Sequence, residues 1–89
     1  MKNYRQLERH MKGVANHRRL EVSFLLEKSP ELSVSEIAEA LEVNFKTISE
    51  HVRRLALAGI VMKRNDGNAV RHALTPLGKS ILKFLRILE

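Results

Sequence analysis

The spacing of apolar residues predicts a run of helices followed by one hairpin. Near the start of the chain, apolar side chains recur every three or four positions, as they do along one face of an amphipathic helix. These residues are Tyr4, Leu7, Met11 and Val14. The pattern predicts a first helix over about residues 3–12, ending near Gly13 because glycine commonly follows the end of a helix.

Capping residues predict where the second and third helices begin. Asn16 can cap a second helix, and Pro30 stops it because the residue before proline is pushed out of the α region. Its apolar positions are dense enough to predict near-complete burial: Leu20, Val22, Phe24, Leu25 and Leu26. Ser33 and Glu36 have the spacing of a capping box. The short third helix that follows has four apolar residues on one face: Val34, Ile37, Ala38 and Leu41.

A fourth helix is predicted after a three-residue break. Residues 42–44 interrupt the apolar pattern, and Asn44 is a good N-cap for a helix from Phe45 to about Ala58, which Gly59 ends. Its inward stripe is Ile48, Val52 and Leu55. The residues left pointing outward are Lys46, Ser49, Glu50, Arg53 and Arg54.

The last third of the chain predicts a hairpin and a closing helix. Residues 60–64 and 69–74 have strand character and flank Asn65-Asp66-Gly67-Asn68, and Asp-Gly between two β-prone runs is a strong hairpin signal. Thr75-Pro76 resembles an N-cap followed by proline at the first helical position. The helix it opens has Leu77, Ile81, Phe84, Leu85 and Leu88 on one side.

Together these elements predict a mainly α fold in the order α-α-α-α-β-β-α. Two short helices joined by a tight turn, with a hairpin directly after the second, are typical of a winged helix-turn-helix. We expect one domain over residues 1–89, with the helix-turn-helix at about 33–58 and the wing at about 60–74. The fourth helix is then the recognition helix.

Charge favours a polyanionic partner. The 89 residues carry a net charge of +6, which suits nucleic acid or an anionic membrane surface. Residues 31–42 hold four glutamates and no Lys or Arg, whereas residues 43–72 hold six basic residues against Glu50 and Asp66. Either run alone could be an ordinary solvated face, so the contrast gains meaning only from the predicted architecture.

Composition removes several function classes. The chain has no cysteine, which excludes disulfides, zinc-thiolate sites and thiol catalysis. It shows no nucleophile beside a base, no paired carboxylates in a plausible pocket and no Gly-rich phosphate loop, so we expect neither an enzyme nor a cofactor. We expect no secretory signal, and the longest apolar run, residues 55–62, is too short to span a bilayer. We expect a cytoplasmic protein with no membrane partner.

Four runs of sequence resemble the ArsR-type winged helix family of bacterial and archaeal regulators. They are residues 15–22 (ANHRRLEV), 31–41 (ELSVSEIAEAL), 47–55 (TISEHVRRL) and 58–61 (AGIV). The likeness covers residues 10–75, while residues 74–79 (LTPLGK) are also similar to MarR-type regulators. The turn residue Glu42 departs from the pattern, since the family often has glycine there, and we expect a tight turn with some strain or a slightly different turn.

The resemblance implies a homodimer built largely from the first and last helices, about residues 3–12 and 76–88. Paired recognition helices would then read an inverted repeat. The interface residues we expect are Tyr4, Leu7, Met11, Ile81, Phe84, Leu85 and Leu88. The alternative is that both apolar stripes pack within the monomer.

The family's metal sites look absent. Many ArsR-type proteins bind metal through cysteines near the start of the third helix, where this chain has Ser33 and Ser35, or through Asp and His on the last helix, where residues 76–89 have neither. The histidines at 10, 17, 51 and 72 show no close ligand spacing. We therefore expect no metal, and any effector to act at the dimer interface or to be another protein.

DNA contacts are expected from the recognition helix and the wing. Lys46, Thr47 and Ser49 are the first choices for the groove, and Asn44 would cap the helix and donate to a phosphate. The basic residues are expected to contact backbone phosphates: Arg53, Arg54, Lys63, Arg64, Arg71 and His72. Asn65 or Asn68 could reach the minor groove. Two residues stay open. Glu50 could accept from a cytosine amino group or pair with Arg53 or Arg54, and Phe45 could contact a thymine methyl or sugar or pack on the preceding helix.

The sequence thus predicts a transcription regulator that binds double-stranded DNA sequence-specifically. The alternative from another class is a winged helix module that docks onto a protein partner, with an incidental basic face.

Overall fold

The computed structural model describes residues 3–89, so the first two residues of the predicted domain lie outside the described residues. The elements are α1 (Tyr4–Val14), α2 (His17–Lys28), α3 (Val34–Leu41), α4 (Phe45–Leu57), β1 (Val61–Asp66), β2 (Ala69–Leu74), α5 (Pro76–Leu85) and a closing 3-10 turn (Arg86–Leu88). The predicted order of elements is confirmed. The last helix is shorter than predicted, because its final three residues tighten into the 3-10 turn.

Side-chain caps set the helix starts. The Oδ1 of Asn16 accepts from the amides of Arg18 and Arg19, and the Oγ1 of Thr75 accepts from Gly78. Ser33 and Glu36 form both bonds of the predicted capping box, at 3.1 and 2.8 Å. Each cap satisfies amides that a helix start otherwise leaves without partners. The local sequence therefore determines where these helices begin.

The turn between α3 and α4 contains a residue in the left-handed conformation, and that residue is not glycine. Glu42 has φ 55° and ψ 43°, and the amide of Val43 donates to Ala38 at 3.0 Å. The tight turn expected with strain at Glu42 is therefore the one observed. Glu31, ahead of α3, also has a positive φ of 71°, which the sequence analysis did not predict.

The wing is a two-stranded antiparallel hairpin with a shorter turn than predicted. Asn65 and Asp66 belong to β1, paired with Val70 and Ala69, so only residues 67–68 form the loop. Gly67 takes φ 63° at the first loop position, where a two-residue hairpin needs a positive φ. The predicted four-residue loop was too long because strand pairing extends to the last residue before glycine.

A compact apolar core joins α2, α3, α4, the wing and α5. Its fully buried members include Val22, Leu26, Ile37, Ile48, Val52, Leu55, Ile60 and Leu82. The near-complete burial predicted for α2 is wrong in part, because Leu20, Phe24 and Leu25 are only half-buried. A domain of this size has one small core, so a peripheral helix can bury only one of its faces. Among residues 3–89, no helix is long and apolar enough to cross a membrane.

Candidate nucleic-acid interface

The start of α4 presents its polar residues to solvent. The Oδ1 of Asn44 accepts from the amides of Lys46 at 2.8 Å and Thr47 at 3.3 Å, so the predicted cap is confirmed. Lys46, Thr47 and Ser49 are exposed, while Ile48 on the inner face is fully buried. The first two turns of α4 therefore combine a rigid base with free polar side chains.

Glu50 pairs with both arginines that follow it. Its carboxylate accepts from Arg53 at 2.9 and 2.6 Å and from Arg54 at 3.1 Å. The hydrogen bond from Arg53 is the main reason that the pKa of Glu50 falls to about 2. Of the two interpretations left open for Glu50, the structure contains the ion pair. The carboxylate cancels part of the positive charge that Arg53 and Arg54 bring to this face.

Phe45 occupies a position between the alternatives set out for it. The residue is 54% exposed and lines a shallow cavity of about 370 Å³ together with Val34, Lys63 and Val70. The ring thus lies between the start of α3 and the wing, with one side in solvent. The exposed side of Phe45 is available to a ligand.

Two of the wing's three cations are held by carboxylates. Arg64 pairs with Glu31, and Arg71 donates to Asp66 at 2.8 Å and to the main-chain oxygen of Glu31 at 3.1 Å. The bond from Arg71 lowers the pKa of Asp66. Lys63 is exposed, with no ion-pair partner anywhere in residues 3–89. Glu31 was not predicted as a wing anchor, because it lies 33 residues before Arg64 in the sequence.

His72 does not belong to the exposed interface, so its predicted contact with the DNA backbone is wrong. The side chain is 1% exposed, and its Nδ1 lies 2.8 Å from the main-chain oxygen of Leu32. Side chains alternate along a strand, so His72 points inward with Leu74, while Arg71 and Ala73 lie on the opposite face and are only partly buried. That alternation was the signal in the sequence that could have placed His72 in the interior.

The first helix is fixed against the end of α4. The Nδ1 of His10 lies 2.5 Å from the main-chain oxygen of Ala58, which is itself buried. A Cβ added at Gly13 would lie 2.2 Å from the Cβ of Ala58, so the two helices touch where Gly13 has no side chain. Any force on α1 therefore acts directly on the C-terminal end of α4.

Most of the apolar residues predicted for dimerisation are exposed in the single chain. Tyr4, Leu7, Met11, Phe84 and Leu88 are between 49% and 73% exposed. Ile81 and Leu85 instead pack partly on the core, as the alternative of packing within the monomer expected for them. Ile87, which the helical pattern did not single out, lies in the 3-10 turn and is 75% exposed. Two unpartnered apolar stripes remain, on α1 and at the chain's end.

The family model for bacterial regulatory proteins of the arsR family matches residues 16–63, from the cap of α2 into β1. This chain belongs to the arsR family. It is 37% identical over 65 residues to the arsenic resistance transcriptional regulator ArsR1 of Pseudomonas putida, a match that covers 73% of the chain and 51% of that protein. The chain thus matches about half the length of that curated relative.

Two solved structures of similar fold come from Mycobacterium bovis and Vibrio cholerae. The homodimeric winged helix-turn-helix DNA-binding domain Mb0332 of Mycobacterium bovis, a possible ArsR-family regulator, has a TM-score of 0.87 at 27% identity, over 96% of this chain and 79% of that one. HlyU of Vibrio cholerae has a TM-score of 0.81 at 31% identity, over 98% and 95%. The arsR family is one of DNA-binding transcription regulators and not of enzymes. The predicted family and winged helix fold are confirmed.

Proposed function

We propose that this arsR-family chain is a homodimeric regulator that binds double-stranded DNA sequence-specifically and reads an inverted repeat through α4. The observation that carries the proposal is the start of α4, where a capped helix on a buried apolar base exposes Lys46, Thr47 and Ser49. The major groove is about 12 Å wide and admits one such helix. Helix starts also direct amides and positive partial charge toward phosphates.

Specificity would come from the short side chains and affinity from the cations. Thr47 and Ser49 can donate to or accept from base edges, and Lys46 can reach guanine or a phosphate. The amide nitrogen of Asn44 remains available to a phosphate, because only the oxygen of this side chain serves as the cap. Phe45 would add apolar contact with a thymine methyl or a sugar. Arg53 and Arg54 would meet backbone phosphate while sharing Glu50.

The wing would extend the contact at one side of α4. Arg64 and Arg71 are oriented by Glu31 and Asp66, so their free nitrogens can approach phosphate only in a fixed direction. Lys63 is the wing's freely available cation, and Asn65 and Asn68 are exposed near the tip, where a minor groove would be within reach. The wing then supplies position more than charge.

Dimerisation would pair two copies of α4. A second copy of the chain would cover the exposed apolar residues of α1 and of the chain's end. The Mycobacterium bovis domain of similar fold is described as homodimeric. A twofold axis places two identical recognition helices on two half-sites, about one helical turn apart, in opposite directions. An inverted repeat is the sequence such a dimer reads.

The test is DNA binding measured as a function of salt. Sequences selected from a random duplex pool should contain an inverted repeat, and if the dimer neutralises about six to eight phosphates, log K should fall with log salt at a slope near −5 to −7. Lys46→Ala and Arg53→Ala should each weaken binding. Lys83→Ala removes one charge on α5, outside α4 and the wing, and serves as the matched control. A slope near zero, or equal losses in all three variants, would overturn the proposal and favour a protein-docking module.

A further inference from the structure

A cationic cavity lies on the face of the domain where α1, α2 and the end of α4 meet. It measures about 440 Å³, within the range typical of small-molecule pockets. Its walls carry four cations from three helices: Arg9, Lys12, Arg19 and Arg54. Its remaining lining is small or apolar: Gly13, Leu57 and Ala58. No Asp or Glu is among the lining residues, so the cavity combines positive charge with an apolar floor.

The positive charge of the cavity is only partly neutralised by neighbouring carboxylates. Arg9 has no ion-pair partner within residues 3–89, and the Nε of Arg19 is buried without a hydrogen-bond partner in the same range. Lys12 pairs with Glu8 at 3.4 Å, but both side chains are well exposed, and such pairs are worth little. Arg54 shares Glu50 with Arg53. A buried guanidinium nitrogen without an acceptor is costly, and a bound anion would satisfy it.

The helix ends nearby account for only part of this charge. The C-terminal parts of α1 and α4 both lie at the cavity, and a helix end carries about half a negative charge. One nitrogen of Arg19 does donate to the main-chain oxygen of Lys12, at 3.5 Å. Two such ends cannot balance four cations, so the cavity remains positive.

We propose that this cavity binds a small organic anion, a carboxylate or phosphate joined to an apolar group. Arg9 and Arg19 would hold the charged group, and the exposed side chain of Leu57 would cover the apolar part. A duplex backbone fits less well, because its phosphates bring no apolar group to a floor made of Leu57 and Ala58. The site is separate from the apolar stripe of α1, since none of Tyr4, Leu7 and Met11 lines it.

An occupant would also affect DNA binding, and this part rests on the proposed function. Arg54 lines the cavity and is one of the cations proposed for phosphate, so a bound anion would neutralise charge that DNA needs. Gly13 and Ala58 hold α1 against α4 at the same place, so the occupant touches the end of the recognition helix. We expect ligand binding to weaken DNA affinity and flatten its salt dependence.

The binding test needs no DNA. The full chain is titrated with 1-naphthyl phosphate, with neutral 1-naphthol and with inorganic phosphate, and binding is followed by amide chemical shifts and calorimetry. The phosphate ester should shift the amides of Gly13, Leu57 and Ala58, and should bind at least about tenfold more tightly than either partial probe, since hydrogen bonds between charged groups are the strong ones. Equal affinity for 1-naphthol, or shifts elsewhere only, would overturn the proposal.

Two variants and a matched control locate the site. Arg9→Gln removes a cavity cation that makes no ion pair in the described chain, and Leu57→Ala trims the exposed floor. The first should weaken the phosphate ester about three- to tenfold, and the second should weaken it while leaving inorganic phosphate unchanged. Arg5→Gln removes one charge from α1 outside the cavity lining and should change the affinity less than about twofold.

The two proposals can fail separately. If Arg5→Gln and Arg9→Gln weaken the phosphate ester equally, only net charge attracts it, and the cavity proposal is wrong. If the ester does not bind but Arg9→Gln weakens DNA binding and Arg5→Gln does not, the cavity face belongs to the DNA interface and the ligand proposal is again overturned. If the ester binds at the cavity but no DNA is bound, the site stands and the proposed function fails.

Discussion

The recognition helix and the wing lie side by side but are held in place by different forces. Helix α4 packs on the core through Ile48, Val52 and Leu55, each of which is at most 1% exposed. The wing is held by main-chain bonds to residues 31–32 and by ion pairs from Arg64 and Arg71. Apolar burial is not weakened by charge screening, whereas exposed ion pairs are. The helix should therefore stay rigid under conditions that loosen the wing.

The largest expected effect is on the buried side of α4. Leu55→Ala should lower the free energy of unfolding by about 2–5 kcal/mol, because it removes a fully buried side chain and leaves a cavity. Leu57→Ala, two residues along and 67% exposed, is the matched control and should cost less than about 0.5 kcal/mol. Urea unfolding of both variants makes the comparison, and similar losses would show that α4 is not fixed by its inner stripe.

The next effect tests how much charge α4 offers to DNA. Glu50→Gln should strengthen DNA binding by up to about eightfold near 0.1 M salt, because one more cation becomes free for phosphate, and should steepen the salt slope by about one. Glu39→Gln on α3 removes the same charge elsewhere and is the control. Fluorescence anisotropy across a salt series measures both quantities. Weaker binding would mean that Glu50 orients the arginines or reads a base.

A smaller effect is expected where ion pairs hold the wing. Glu31→Gln keeps the backbone conformation but breaks the pair with Arg64, and should cost about 0.2–1 kcal/mol of stability at low salt, since both side chains are about half exposed. The difference from the parent protein should shrink in 1 M salt. Amide exchange in β1 and β2 should speed up while exchange in α4 stays unchanged. Equal changes in both elements would contradict the separation of the two regions.

The smallest effect is a pH dependence at the back of α4. Burial, and then the positive charge of Arg19, lower the pKa of His51, although Glu50 opposes the shift. The unfolded chain therefore binds a proton more readily than the folded one, so stability is complete above the ordinary histidine pKa of about 6.5 and declines as pH falls through the lower folded value. Unfolding between pH 7.5 and 5 should show this loss. It should vanish in His51→Gln and persist in His17→Gln.

Local signals were enough to predict the fold. The caps at Asn16, Ser33, Asn44 and Thr75 each accept from amides within three residues. Both partners of each cap are therefore visible in a short stretch of sequence. The recognition helix and its outward side chains follow from the same short range. The helical period alone predicts which of these side chains point outward.

Contacts between distant residues were not predictable in the same way. Glu31 meets Arg64 across 33 residues, and His10 meets Ala58 across 48. The cations of the cavity come from three helices and lie together only in the folded domain, so their spacing in the sequence does not predict the cavity. His72 was a different kind of error, because its position two residues before the apolar Leu74 already placed it on the inner face of the strand.

The glycine at position 13 gives the close contact between α1 and α4 a consequence for operator design. In the proposed dimer, α1 carries the twofold interface and, at Gly13, meets the Cβ of Ala58 at the end of the recognition helix with no side chain of its own in between. The distance between the two reading helices is then set partly by a missing methyl group. A Gly13→Ala protein that still folds would be expected to prefer half-sites at a different spacing, and evolution could retune target choice there without altering any residue that meets a base.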